Sequence, residues 1–373
     1  MHAWLEINCN TIRGNLARVK ECVGSGVDVI AVVKTEAYGH GLEEMTKLLD
    51  SEGVASFAVM TFDEARRARQ HTAKPILVMG YLDTKEVTDA IEEGFVLSLY
   101  DREQFALYER FAHRMGRKLK THLKIETGLN RLGVSPDEAK EFLTGLHHFP
   151  HLEVEALFSH LACADDPEKN QAQLRVIQDL LVDIQGKAPL LPIHFVSSYA
   201  LRDFKEGYFD AVRIGLALYG IDEVIDGLEP ALTCKSRVMQ VKEVAEGKGI
   251  SYGHYFIAKR PTTAAVVSIG YGDGLSQVFR DSMSVLINGQ KFPIVGQICM
   301  NHIIADVTGS TVKRGDEVVI IGSQKGPDGS VSTITVAELA QQGRIRHHEI
   351  VTRLGRALTK LYEGNNGIRQ DRQ

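Results

Sequence analysis

Lys34 stands where an apolar run, Val27 to Val33, gives way to Thr35-Glu36-Ala37-Tyr38-Gly39-His40-Gly41. The run reads as a buried strand, so the lysine sits at its carboxyl end beside a dry core. Desolvation there lowers an ammonium pKa and can turn lysine into a Schiff-base nucleophile. Tyr38, Gly39 and Gly41 follow in a tight loop that could hold a phosphate through backbone N–H groups and one hydroxyl. On this stretch alone, a snorkelling lysine with a glycine turn behind it is the competing reading. Other strand ends carry more chemistry: Glu126 to Arg131, His160, Ser197 with Ser198, and Arg213 with Gly215.

The elements that must position these residues alternate strand and helix from about residue 10 to 229. The strands are Val27–Val33, Ser56–Met60, Pro75–Met79, Phe95–Leu99, Leu119–Ile125, Val154–Ser159, Pro192–Val196 and Ala211–Ile214. Many are continuous apolar runs, as parallel strands buried on both faces should be. Eight such units predict an α/β chain whose N-terminal half is a closed (β/α)8 TIM barrel, with its chemistry at the carboxyl ends of the strands. A doubly wound sheet would need a dinucleotide fingerprint after its first strand, and Lys34-Thr35-Glu36 is not one. From about 230 to 373 the texture changes to alternating stretches. Asn288-Gly289 is a hairpin signal, and two helices are expected near Val336–Gln341 and His348–Tyr362. This half reads as a mostly antiparallel C-terminal β domain, with residues 1–9 packing against it.

The composition is that of a soluble globular enzyme: 44% hydrophobic, 24% charged and a net charge of -5 over 373 residues. Basic blocks are missing, so nucleic acid or an anionic membrane finds no support as a partner. No stretch has the apolar length of a membrane span, and the first twenty residues read as a strand and a helix rather than a signal peptide. Cys9, Cys22, Cys163, Cys234 and Cys299 are odd in number and scattered. They suggest reduced thiols of a cytoplasmic protein rather than a zinc site.

Several segments, in order along nearly the whole chain, resemble the alanine racemase family. They are Ala31-Val32-Val33-Lys34 with Ala37 to Gly41, His122-Leu123-Lys124 with Thr127-Gly128 and Arg131 to Val134, and His160. Further on come Ala211 to Gly215 with Leu218-Tyr219-Gly220, Ser251-Tyr252-Gly253, Gly270-Tyr271 with Asp273-Gly274, and Gly296 with Ile298-Cys299-Met300. The resemblance implies pyridoxal 5'-phosphate as cofactor and L-/D-alanine as the small-molecule substrate, with D-alanine supplied for peptidoglycan. Racemisation removes a proton from one face of Cα and returns it to the other, so it calls for two bases. The resemblance assigns Lys34, also the cofactor anchor, to one face and Tyr252 to the other. It implies a head-to-tail homodimer in which Tyr252 and Met300 reach the site across the interface. A phenol is a weak base unless cations stand near it, and His160 and Arg213 are the candidates. By the same resemblance Arg213 faces the pyridine nitrogen, where a guanidinium cannot take up a proton. Tyr38, Ser198, Gly215 and Leu216 hold the phosphate, which moves the backbone cradle away from the loop behind Lys34. Arg131, Met300 and Tyr271 meet the substrate. Lys124, beside Arg131, is expected to be carbamylated. No metal is implied.

The chain departs from the family pattern at several positions. Asn301 replaces an aspartate near the substrate, Ser197 an asparagine, Thr35-Glu36 an Ala-Asn pair, Glu126 an aspartate, and Asn130 a glycine. Arg356 aligns where a tyrosine normally reaches the phosphate. The competing readings are a racemase of serine or another amino acid, a decarboxylase of the same architecture, and a non-catalytic cofactor carrier.

Overall fold

The structure, a computed structural model, describes residues 2–222 and 224–364. Its centre is a closed parallel barrel of eight strands: β2 (Asp28–Val32), β3 (Ser56–Val59), β4 (Ile76–Val78), β5 (Val96–Leu99), β6 (Leu119–Lys124), β7 (Leu152–Phe158), β8 (Ile193–Ser197) and β9 (Ala211–Ile214). The ring closes between β2 and β9, where Ile30 pairs with Arg213 and Ala31 with Ile214. These are the eight strands expected from the sequence, shifted by two residues at most. The chain is an α/β protein with a (β/α)8 barrel.

Most outer helices begin at side-chain caps. Thr61, Asp83, Asp101 and Ser135 each form a capping box with a Glu or Gln three residues on, which satisfies N–H groups that would otherwise lack partners. After β8 the chain forms two 3-10 turns, Ser198–Ala200 and Lys205–Gly207, in place of an α-helix.

The second half is mostly antiparallel. The first strand, β1 (Ala3–Asn8), pairs with β10 (Leu232–Val244). β10 continues to pair with β13 (Thr262–Val267) and with β17 (Glu317–Lys325), and a short ribbon, β11 (Gly249–Ile250) with β12 (Phe256–Ile257), branches off. β14 (Ser284–Ile287) and β15 (Gln290–Pro293) form the expected hairpin. Asn288 and Gly289 both take positive φ, 51° and 76°, as a two-residue turn of this type requires. β16 (Ile303–Asp306) and β18 (Val331–Ile334) complete the sheet.

The last predicted helix needs correction. It spans His347–Ala357 and then stops, and Lys360–Glu363 form β19, parallel to β1. Leu358 turns extended and buries its side chain, and Tyr362 is buried in turn, so strand alternation overrides helical spacing there. Residues 365–373 of the predicted second domain lie outside the described residues.

Helix His347–Ala357 packs on the stretch that carries Lys34. Gly39 and Gly355 meet backbone to backbone. A Cβ on Gly355 would fall inside the contact radius of Gly39, and one on Gly39 would overlap the carbonyl of Val351. Overpacking of this kind costs roughly 1–3 kcal/mol. Gly355→Ala should therefore lower the unfolding free energy from denaturant titration by that order, and an unchanged value would show that the contact is slack.

Candidate active site

Lys34 opens a turn of unusual hand. Thr35, Glu36, Ala37 and Tyr38 all take left-handed backbone angles, with φ of 54°, 55°, 49° and 54°. For L-residues this costs about 1–2 kcal/mol each, so the turn must be held from outside. The Thr35 N–H donates to Glu64 Oε1 at 2.6 Å, and Arg67 pairs with Glu36 at 2.6 Å while also holding Glu43. Glu36, one of the departures from the family pattern, therefore has a structural role. His40 lies buried behind the turn. Its Nδ1 meets the carbonyls of Ala37 and Tyr38, and its ring stacks on Tyr219 at 4.5 Å. Burial pushes its pKa down to about 4.

The turn aims Lys34 and Tyr38 into a cavity of about 500 Å³ at the carboxyl end of the barrel. Lys124, Arg131, His160, Ser198, Arg213, Gly215 and Leu216 line the same cavity. Nine residues singled out from the sequence thus converge. Among the described residues its lining carries four basic side chains and no carboxylate. Burial, then Arg131, lowers the pKa of Lys34. Burial, Arg131 and Arg213 bring Lys124 down to about 8. Burial also pushes the Tyr38 phenol up to about 12.

Arg213 is fully enclosed. One terminal nitrogen, Nη1, donates to the carbonyl of His194 at 2.6 Å and to His194 Nδ1 at 2.8 Å. The other, Nη2, reaches the carbonyls of Ser159 and Phe195 and also His160 Nδ1 at 3.2 Å. Because a guanidinium only donates, His194 Nδ1 must accept, and its proton lies on Nε2. That proton points to His122 Nδ1 at 2.9 Å. A directional chain, Arg213 to His194 to His122, results. Burial and the Arg213 charge hold both histidines neutral, His122 at about 4 and His194 well below the ordinary value. The same causes hold His160 well below it. His160 is therefore not the cation expected to assist a phenol, because its own neighbour is a buried guanidinium. Arg213 remains charged, its pKa brought down only to about 10 by burial and Arg131.

Ser198 and the segment after β9 meet at the other end of the cavity. Ser198 Oγ accepts from the N–H groups of Gly215 at 3.2 Å and Ala217 at 3.3 Å. A Cβ on Gly215 would come within 2.7 Å of the Tyr38 hydroxyl, so glycine is required there. The Arg131 loop is shaped by Glu126. Burial acts upward on this carboxyl, but the N–H groups of Asn130, Gly128, Arg131 and Leu129 outweigh it and hold the group below its usual range. Asn130 takes φ 54°, a conformation that asparagine tolerates in place of glycine.

Three expected site residues lie elsewhere in this single chain. Tyr252, Tyr271 and Met300 sit on adjoining loops of the β domain and are 75%, 43% and 56% exposed. The Tyr271 N–H donates to the carbonyl of Cys299, and Gly272 N–H to that of Met300. Ser251 Oγ, next to Tyr252, donates to the carbonyl of Gln297. Arg356 is exposed and outside the cavity lining, so it does not fill a position beside Ser198. His194 was missed from the sequence. A lone histidine inside an apolar strand looks like core, and only its contact with Arg213 of the neighbouring strand could have marked it. All five cysteines are free thiols, and no group of three or more metal-ligating side chains occurs among the described residues. No described helix is long and apolar enough to cross a membrane.

Residues 7–223 match the alanine racemase N-terminal domain and residues 231–362 the alanine racemase C-terminal domain. The chain belongs to the alanine racemase family. It is 34% identical over 370 residues to alanine racemase 2 of Caldanaerobacter subterraneus subsp. tengcongensis, covering 96% of this chain and 94% of that one. The alanine racemase of Clostridium difficile 630 superposes with a TM-score of 0.91 at 29% identity, covering 99% and 98% of the two chains. That of Bartonella henselae, solved with covalently bound pyridoxal phosphate, gives 0.87 at 26% identity, covering 97% and 99%.

The buried histidines of this racemase-family site fix a pH dependence. His122 titrates near 6.5 in the unfolded chain and near 4 in the folded one. The folded form therefore resists a proton that the unfolded form accepts. Stability is complete above pH 6.5 and falls as the pH drops towards 4. His122→Gln keeps an acceptor for His194 but cannot titrate. Urea unfolding at pH 7 and pH 5 should show the variant losing less stability between the two, by on the order of 1–2 kcal/mol. An identical loss in both proteins would contradict the neutral assignment.

Proposed function

We propose that this chain is a pyridoxal-phosphate-dependent racemase that interconverts L- and D-alanine, works as a homodimer in the cytoplasm, and supplies D-alanine for peptidoglycan. The observation that carries the reading is the convergence of a desolvated lysine, an enclosed arginine and a hydroxyl-lined end in one cavity without carboxylates. The names of the relatives, and the cofactor bound in the Bartonella henselae enzyme, agree with it. The functional unit is a barrel over residues 10–229 followed by a β domain over 230–373.

The cavity fits the cofactor. Lys34 would offer a low-pKa amine to its aldehyde. Tyr38, Ser198 and the N–H groups of Gly215 and Leu216 would hold its phosphate. His160 packs beside Arg213, which would meet the pyridine nitrogen. When bound, pyridoxal phosphate supplies an electron sink that acidifies the Cα–H of an attached amino acid. The protein supplies the rest. Arg131 binds the substrate carboxylate. Arg213, which can donate but not accept, leaves the sink weak and favours return of the proton at Cα. Lys34 moves a proton on one face and Tyr252 of a second copy on the other. Met300 and Tyr271 of that copy border the substrate. The exposure of these three on one patch of the β domain supports a partner-facing role. Asn301 is exposed on the same patch and bears on the choice of substrate side chain.

Lys124 is carbamylated in this reading. Its amine nitrogen attacks the carbon of CO2 and gives up a proton, and the resulting anion pairs with Arg131. A pKa near 8 leaves a share of the amine free to react. Protein equilibrated with 13C-bicarbonate should show a carbamate carbon that Lys124→Ala lacks, and a spectrum without that signal would remove this element.

The central test is loss of the α-proton signal of L-alanine in D2O, with formation of D-alanine. The unaltered protein should exchange it, while Lys34→Ala and Tyr252→Phe should each lower the rate by about 100-fold or more, the scale of a lost acid–base group. Full exchange by both variants would defeat the two-base assignment. CO2 release would favour the decarboxylase reading.

A further inference from the structure

Tyr199 directly follows Ser198, yet it is 41% exposed where Ser198 is buried. It borders three cavities at once. One is the 500 Å³ site, and the others are neighbours of about 550 and 580 Å³ that lie under Thr335–Ala337 and the start of helix His347–Ala357. Its hydroxyl donates to Asp222 Oδ2 at 2.5 Å, and His347 Nδ1 binds the other oxygen of the same carboxylate. This latch ties together three segments. Tyr199 adjoins Ser198, Asp222 follows the turn that begins at Gly215, and His347 heads the helix that packs on the Lys34–Gly39 turn. The outer cavities are lined by Arg202, Arg344 and Arg346 together with Asp203, Asp222 and Glu349, so their walls are polar and of mixed charge.

We propose that Tyr199 is a gate for the cofactor phosphate, held shut by Asp222 and His347, and that pyridoxal phosphate enters and leaves between the site and the outer cavities when this tyrosine swings out. The inference rests on the cofactor reading above. Tyr199 is a positioning residue: its ring walls the phosphate end, and its hydroxyl is spent on Asp222 rather than on the ligand. A gate has a distinct kinetic signature. Opening it speeds entry and exit alike, whereas removing a binding contact speeds exit alone.

The experiment uses the full-length holoenzyme and follows the absorbance of lysine-bound cofactor. Release is measured into a trapping excess of apo-protein from another pyridoxal-phosphate enzyme, and uptake by adding pyridoxal phosphate to the apo form. Tyr199→Phe keeps the ring and removes the bond to Asp222. It should raise both rates about tenfold and leave Kd within about twofold, as expected for loss of one charge-assisted hydrogen bond from a gating step. Asp222→Ala should do the same. Unchanged rates would overturn the gate, as would faster release with matching loss of affinity. An unaltered protein that forms no lysine-bound absorbance would instead overturn the cofactor reading, and the gate with it.

Discussion

Four basic side chains share one cavity with no carboxylate among its described lining residues. That repulsion is the constraint on which the rest of the site depends. Lys34 and Lys124 both lose proton affinity, first to burial and then to the charge of Arg131. Arg213 cannot shed its proton, so the fold surrounds it with carbonyl oxygens and imidazole acceptors. An enclosed set of cations is a receptor for anions. A phosphate, a phenolate and an amino-acid carboxylate together would neutralise what the protein leaves unpaired, and a carbamate on Lys124 would do so in part.

The two halves of the chain meet at this site through backbone. The left-handed turn that aims Lys34 is strained, and helix His347–Ala357 presses on it at the Gly39–Gly355 contact. The carboxyl end of β2, the 3-10 turn after Ser198 and the C-terminal helix therefore position one another. A barrel alone would keep the Glu64 and Arg67 contacts to this turn but would lack the backbone packing at Gly39.

Much of this was legible in the sequence, for physical reasons. Buried parallel strands read as continuous apolar runs, so all eight barrel strands could be found, and a lysine ending such a run is conspicuous. The left-handed turn was not legible, because Thr35, Glu36 and Ala37 have no intrinsic preference for that conformation and tertiary contacts impose it. The neutral histidine chain was hidden because His122 and His194 lie on different strands and meet only when the barrel closes. β19 was hidden by helical spacing that ran past the true stop at Ala357. Arg356 could be aligned to a phosphate position but not oriented, and in the fold it points to solvent. Tyr252 showed its motif plainly, and within one chain it lies exposed and outside the lining of the cavity that holds Lys34.

The measurement that bears most directly on the account is the mass of the peptide containing Lys34 after borohydride reduction of protein loaded with pyridoxal phosphate. Reduction fixes the cofactor to whichever amine holds it. A single modified peptide is expected, carrying the reduced cofactor on Lys34, with Lys124 unmodified by it. A cofactor fixed on Lys124 or on a surface lysine, or no adduct at all, would contradict it.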